Sequence, residues 1–274
     1  MEPNPIAEKN RASWEDYSDK YLAYNHSAQR LEPIHTNPAK AFHSITWQLL
    51  NKYIPDFSNL HICVPSSGDN HAVFAFALLG AQVTSCDISE KQLKGAAAVA
   101  KAWRLEERIR FCKADTMTLA ELGDNTFDLV YTSNGVHVWL NDLPAMYHNI
   151  FRILKPGGFS ILYEIHPFQR PFGPNLAVKQ PYDHVGPHED EFNITFSWRI
   201  QDFINAIAGS GLHLLEMAEM FDEKDYDAPF FIKNEDILNG VRATREEVDR
   251  MYDWRTNPEM ALPQWMCMVN RKLS

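Results

Sequence analysis

Asp87 stands about 20 residues beyond a short turn, and that spacing is how a strand-helix-strand unit grips a ribose, the carboxylate pairing with both hydroxyls. Around it the chain reads LHICV, PSSGDN, HAVFAFALLG and AQVTSCD, a strand, a turn, a helix and a second strand that ends in the acid. These residues imply a nucleoside pocket. A turn that takes a pyrophosphate needs G-x-G-x-x-G so that the backbone can approach it. Positions 66 to 71 hold SSGDNH instead, with only Gly68 kept, which argues against a dinucleotide.

Other side chains with metal or nucleophile chemistry are weaker signals. His184, His188 and Glu189, flanked by Asp183 and Asp190, offer donors, but an H-x-x-x-H spacing in a Gly/Pro-rich loop is not held on one helix face. They read as a solvated loop that touches substrate, and no metal is expected. Cys63, Cys86, Cys112 and Cys267 each lie in an apolar stretch and form no C-x-x-C pair, so they read as buried, reduced, structural thiols.

The elements that must position Asp87 alternate regularly. Strands are expected at 60–64, 82–86, 109–113, 127–132 and 158–165, with helices at 70–79, 90–102 and 142–154. That rhythm specifies a parallel sheet covered by helices on both faces. Ser89 and Gln92 form a capping box that opens the second of these helices. Gly80 stops the first, and Lys155-Pro156-Gly157-Gly158 ends the third. Another helix, 39–52, leads into the first strand. Trp14, Tyr17, Tyr21 and Tyr24 recur at spacings of three, four and three, an aromatic stripe on one face of a helix over 10–25 that packs on the core.

Residues 166–196 break the rhythm and are rich in proline, aromatics and histidine. Coming directly after a strand, at the edge where α/β proteins bind ligands, they read as a substrate cover. Ser197 then caps a helix (WRIQDFINAIAGSG), LHLLEMAEMF forms a sixth strand, and PQWMCMVNRK forms a seventh. A second insertion, 222–262, carries a helix opened by Thr244-x-x-Glu247.

Composition narrows the partners. A hydrophobic content of 45% with 12% aromatics is globular, and no apolar run reaches the roughly 20 residues that cross a bilayer. MEPNPIAEKN has no secretory signal, which leaves a cytoplasmic protein as the expectation. The formal net charge of −10, without a Lys/Arg cluster, speaks against nucleic acid as substrate.

Taken in order, the segments resemble the class I S-adenosylmethionine-dependent methyltransferases, of the type 11, bacterial small-molecule kind. Three glycine positions of the family's G-x-G-x-G loop fall on Ser66, Gly68 and Asn70, and its preceding acid falls on Val64. Beyond Asp87 come Ile88, where the family lays an apolar residue on adenine, IRFCKAD ending in Asp115 and followed by Thr116, FDLVYTSNGVHVWL, and ILKPGGFSILYEIHPF. The match runs over roughly residues 40–170. It implies a doubly wound α/β sheet of seven mostly parallel strands, the last antiparallel, in a single domain over 1–274. Within it, 1–55 form N-terminal helices and a lid, 56–165 a cofactor-binding core, and 197–274 the closing helix and strands. The cofactor implied is S-adenosylmethionine, held by Pro65, Ser66, Ser67, Gly68, Asn70, Asp87, Ile88, Gln92, Asp115, Thr116, Asn134 and Gly135. Tyr17 and Tyr21 become lid contacts.

Methyl transfer from a sulfonium is an in-line displacement whose main demand is positioning. A base matters only for an acceptor that must lose a proton early, and His137, Glu164 and His166, at the ends of the fourth and fifth strands, are the candidates. Their plainer reading is pocket shaping and packing. The expected partner is a small-molecule acceptor, with the methylated atom and the oligomeric state open. Two alternatives stand beside this reading: a methyltransferase-fold binding protein without turnover, motivated by Val64 and the missing glycines, and an NAD-dependent oxidoreductase, motivated by the generic unit and its acid.

Overall fold

In the computed structural model, which describes residues 4–273, the apolar runs become strands, the central ones buried on both faces and the two edge strands partly exposed. These are β1 (His61–Val64), β2 (Gln82–Asp87), β3 (Ile109–Lys113), β4 (Phe127–Ser133), β5 (Leu154–Ile165), β6 (Leu212–Met220) and β7 (Trp265–Lys272). They form one seven-stranded sheet in the order β3-β2-β1-β4-β5-β7-β6. Pairings among β1 to β5 are parallel, whereas β7 runs antiparallel to both β5 and β6. The chain leaves β1 in one direction to reach β2 and later returns on its other side as β4. The carboxyl ends of β1 and β4 therefore flank the crevice where open α/β sheets bind ligands.

Helices cover both faces. On one side α4 (His71–Leu78) buries every residue from Ala72 to Ala77, because α2 (Ala28–Thr36) and a 3-10 turn at Pro38–Ala41 cover its outer surface. The expected helix over 39–52 is thus two elements, that turn and α3 (Ser44–Tyr53), separated where the His43 ring accepts from Ile45 N and caps α3. α5 (Glu90–Ala102) keeps its expected bounds. On the opposite face α6 (Leu143–Ile153) and α7 (Ile200–Gly209) pack Met146, Ile150, Phe203 and Ile207 against Met266 and Met268 of β7. The four cysteines are free and buried in their strands.

Four local expectations are corrected. α1 spans Pro5–Asn25, starting earlier than residue 10 because Asn4 caps it and Pro5 fits its first turn. β5 begins at Leu154 rather than 158: Phe127 pairs with Leu154 and Leu129 with Phe159, so the Lys-Pro-Gly-Gly stretch is absorbed as a bulge. Arg199 and Asp202, not Ser197, cap α7, with Asp202 Oδ2 accepting from Arg199 N at 2.9 Å. Only half of the capping box at α5 forms, since Ser89 accepts from Gln92 N while the Gln92 amide turns toward α1.

The cover, 166–196, holds two 3-10 turns (Pro167–Gln169 and Pro174–Leu176) and a small hairpin pairing His188–Glu189 with Ile194–Thr195. In the second insertion, α8 (Asn234–Leu238) precedes α9 (Arg245–Met251), which carries the expected Thr244/Glu247 box. Among the described residues no helix is long and apolar enough to cross a membrane.

Candidate functional site

The loop between β1 and α4 is built by inward and outward turns. Ser67 points into the sheet, its hydroxyl 2.7 Å from Ser85 Oγ and donating to Cys86 O. Asn70 caps α4, accepting from Ala72 N, and its amide donates to Ser133 Oγ at 2.6 Å. Both side chains expected at a ligand are thus spent on holding the loop, and Pro65 is buried beneath it. Ser66 and Gly68 turn the backbone with φ of +45° and +48°. The Ser66 hydroxyl meets Thr116 Oγ1 at 2.6 Å, which ties the loop to the end of β3.

Asp87 closes this loop. Its Oδ2 accepts from Gly68 N at 2.7 Å and its Oδ1 from Ser89 N at 2.8 Å. Burial pushes its carboxyl up to about 6, against the pull of those backbone amides. Asp115 accepts from Met117 N at 2.8 Å and remains half-buried beside Thr116. Ile88 follows Asp87, half-buried, on the same edge.

α1 lies over these groups. Glu15 accepts from Ser89 Oγ at 3.0 Å, and the Gln92 amide donates to Ser18 Oγ at 3.0 Å. Leu22 sits so close to Gly95 that a Cβ there would come within 2.7 Å of its methyls, so a glycine in mid-helix lets α1 approach α5. Tyr21 packs edge-on to Trp14 at 5.5 Å and lies 6.4 Å from Tyr17. Burial raises the Tyr21 hydroxyl to about 12 and the Tyr17 hydroxyl in the same direction.

Unpaired buried polar atoms gather at the same place. Asp69 Oδ2, His26 Nε2, Arg30 Nε and Gln92 Oε1 have no hydrogen-bond partner. His26 Nε2 and Asp69 Oδ2 stand 3.8 Å apart, beyond hydrogen-bond reach. Burial raises the Asp69 carboxyl to about 6 and lowers the His26 ring. A buried unsatisfied group costs about 1–3 kcal/mol. Three of them, Asp69 Oδ2, Gln92 Oε1 and His26 Nε2, stand at one glycine-bearing loop and fit a ligand with both donors and acceptors, as the adenosyl and amino-acid ends of S-adenosylmethionine are.

The second half of the site lies at the ends of β4 and β5. Glu164 accepts from Gly135 N and Ile165 N at 2.9 Å each, from His137 N at 3.1 Å and from His137 Nδ1 at 2.9 Å. Burial works against the charged carboxyl, but the His137 contacts and the Arg170 charge together outweigh it and hold it below its ordinary value. His137 Nε2 meets the Tyr147 hydroxyl at 3.0 Å, so both ring nitrogens are engaged. His166 is fully buried: Nδ1 accepts from Phe168 N and Nε2 meets Glu219 at 2.9 Å. None of the three expected bases presents a free proton-accepting atom to a cleft. Asn134 (φ +52°), which is exposed, and Gly135 (φ +81°), half-buried, form the bend between β4 and this buried pair.

A tight cleft, with about 10 Å³ of room, opens beside His137 and Glu164, where Arg170, Phe196, Trp198 and Phe203 form its walls. Sequence reasoning missed these four, as well as Asp69 and His26; the one visible signal is Arg170, the lone arginine in the cover. Asn10, buried in α1, also went unnoticed. Its amide donates to Ile194 O and accepts from Ile194 N, 2.9 Å each, joining α1 to the 166–196 segment. His184 and His188 stack edge-on at 4.7 Å, and no group of three or more His, Cys, Asp or Glu suited to a metal ion occurs among the described residues.

Residues 65–162 match the family model described as a methyltransferase domain. The sterol 24-C-methyltransferase of Aspergillus fumigatus is 26% identical over 153 residues, covering 53% of this chain and 37% of that protein. This chain spans less than two-fifths of the length of the first curated relatives it matches, 37% and 39%. Among solved structures, an S-adenosylmethionine-dependent methyltransferase from Mesorhizobium loti superposes with a TM-score of 0.60 at 22% identity, covering 82% of this chain and 96% of its own. A geranyl diphosphate C-methyltransferase from Streptomyces coelicolor superposes with a TM-score of 0.65 at 12% identity, over 100% of both chains. The structural likeness establishes the fold. The matched segment, about a third of the chain, starts at the loop that Asp87 closes and ends in β5, and these likenesses together support a class I S-adenosylmethionine-dependent methyltransferase.

Proposed function

We propose that the protein transfers a methyl group from S-adenosylmethionine to a small-molecule acceptor. The observation that carries this reading is the loop joined to Asp87 through Gly68 N, lying beside unpaired buried polar atoms and beneath α1. When bound, the cofactor supplies an electrophilic methyl on a sulfonium, displaced in line by the acceptor's nucleophile. In this chain Asp87 would receive the ribose hydroxyls, Ile88 and Asp115 would border the adenine, and Asp69 with His26 would meet the amino-acid end. Val64 leaves no acid on β1, so Asp69 is the carboxylate available to an ammonium. α1 and the cover exclude water. His137 and Glu164 set the Asn134-Gly135 bend rather than move a proton, because their own contacts use every nitrogen and both oxygens. The negative net charge and the absence of a basic cluster favour a small acceptor over nucleic acid. The test is calorimetry with S-adenosylmethionine, S-adenosylhomocysteine and NAD, followed by S-adenosylhomocysteine release over a panel of small acceptors. Binding of the first two without NAD, with release, is expected. Selective NAD binding would overturn the reading.

A second reading, binding without turnover, is favoured by Val64, which is fully buried and leaves the family's acid position apolar. It predicts cofactor binding with no release for any acceptor.

A further inference from the structure

We infer that Arg170 docks a carboxylate on the acceptor, making the substrate a small monoacid with an apolar body; the inference rests on the methyltransferase reading above and names the substrate class of that site. Arg170 follows the turn Pro167–Gln169 and lines the cleft beside His137 and Glu164. Among the described residues its guanidinium has no hydrogen bond and no ion pair. Other arginines that are only partly exposed have partners: Arg30 reaches Tyr24, Arg152 reaches Asp124 and Arg199 pairs with Asp202. Arg104 and Arg110, which have none, are exposed on the surface. An unpartnered cation that is half withdrawn from water is costly, and it persists where a ligand completes it.

Glu164 does not fill that role. Four N–H donors already occupy its two oxygens, and it makes no contact with Arg170 within 4 Å. Burial lowers the Arg170 pKa while the more distant Glu164 charge raises it, consistent with a guanidinium held in the cleft but unconsumed. A guanidinium presents a planar fork of donors that matches a carboxylate in two parallel hydrogen bonds. Around it stand Ile165, Phe196, Trp198 and Phe203, which accept an aliphatic or aromatic body. No lysine lines the cleft and the Glu164 carboxylate already stands in it, so the single guanidinium suits one further carboxylate at most, and a diphosphate is poorly matched. The cleft also abuts the transfer site, since Glu164 holds Gly135 N, one residue from Asn134. Its present room of about 10 Å³ admits no more than a water, so the cover must yield when the acid enters.

The test titrates wild type, Arg170→Gln and Arg170→Lys, each with and without S-adenosylhomocysteine. The probes are 4-hydroxybenzoate, cinnamate and octanoate, their matched amides, and geranyl monophosphate as a phosphate arm. At least one acid is expected to bind wild type ten-fold or more tightly than its amide. Arg170→Gln should erase that preference while S-adenosylhomocysteine affinity stays unchanged, and Arg170→Lys should restore only part of it. Equal binding of acids and amides, no binding of any acid, survival of the preference in Arg170→Gln, or tighter binding of the phosphate each overturns the inference. S-adenosylhomocysteine affinity in wild type is read separately. Its absence strikes the methyltransferase reading, while its presence without acid selectivity strikes only the role of Arg170.

Discussion

Asp87 has both carboxylate oxygens engaged by backbone amides in the free protein, so the ribose contacts proposed for it would add to a geometry already set. Each oxygen keeps a lone pair for a hydroxyl. Hydrogen bonds to charged groups contribute about 1.5–3 kcal/mol, so Asp87→Ala should weaken S-adenosylhomocysteine binding roughly ten- to hundredfold in a folded protein. Calorimetry showing unchanged affinity would remove Asp87 from the site. Val64 gives the opposite lesson. It is fully buried in the hydrophobic core, so Val64→Asp places an unpaired carboxylate in an apolar interior. Urea denaturation should show a loss of several kcal/mol, on the order of a sizeable part of a domain's stability, and no gain in cofactor affinity. Spacing made Asp87 legible because a strand end and a turn fix its place. Asp69 and His26 were not, since their meeting depends on how α1 and α2 return over the loop, a tertiary event without a local pattern.

At the scale of elements, α1 and the cover act as one body. Asn10 supplies both a donor and an acceptor to Ile194, as a neighbouring strand would, and Lys9 pairs with Glu189 nearby. Asn10→Ala leaves two backbone groups of the hairpin without partners. The expected cost is about 1–3 kcal/mol locally, read as faster amide exchange across 188–196 and along α1 together. Faster exchange in only one of the two would show that they are not coupled. Adding S-adenosylhomocysteine and an acceptor should slow exchange in both, from Phe168 to Tyr182 and from Trp14 to Tyr24, as a closing cover requires. The core strands and α5 were readable from apolar runs and caps. α2 was not, because AQRLEPIHT is short and carries Pro33 inside. The bulge at the start of β5 was hidden for a related reason: Pro-Gly-Gly is a helix stop whether the chain next turns or enters a strand.

For the whole molecule, strand alternation legibly predicted a parallel sheet, whereas the antiparallel β7 between β5 and β6 came from resemblance, since no local pattern encodes that insertion. Charge gives the last prediction. Asp69 and Asp87 both sit near 6 in the folded protein, from an ordinary value of 3.8, chiefly through burial. Because the folded pKa is the higher one, the folded state binds more protons than the unfolded state between those values. These two groups therefore favour folding fully below pH ~3.8, and that contribution is lost as pH rises through ~6. Against the background of other titrating groups, the effect is read as a difference: Asp69→Asn should gain stability relative to wild type as pH rises from 4 to 7. A ligand that pairs with the charged carboxylates draws their pKa down, so its binding releases protons and must tighten with rising pH over the same range. S-adenosylhomocysteine affinity should climb from pH 5 to 7 in wild type and climb less in Asp69→Asn. A pH-independent affinity in both proteins would mean that the ligand's amino-acid end does not reach Asp69, and that the unpaired atoms beneath α1 serve something else.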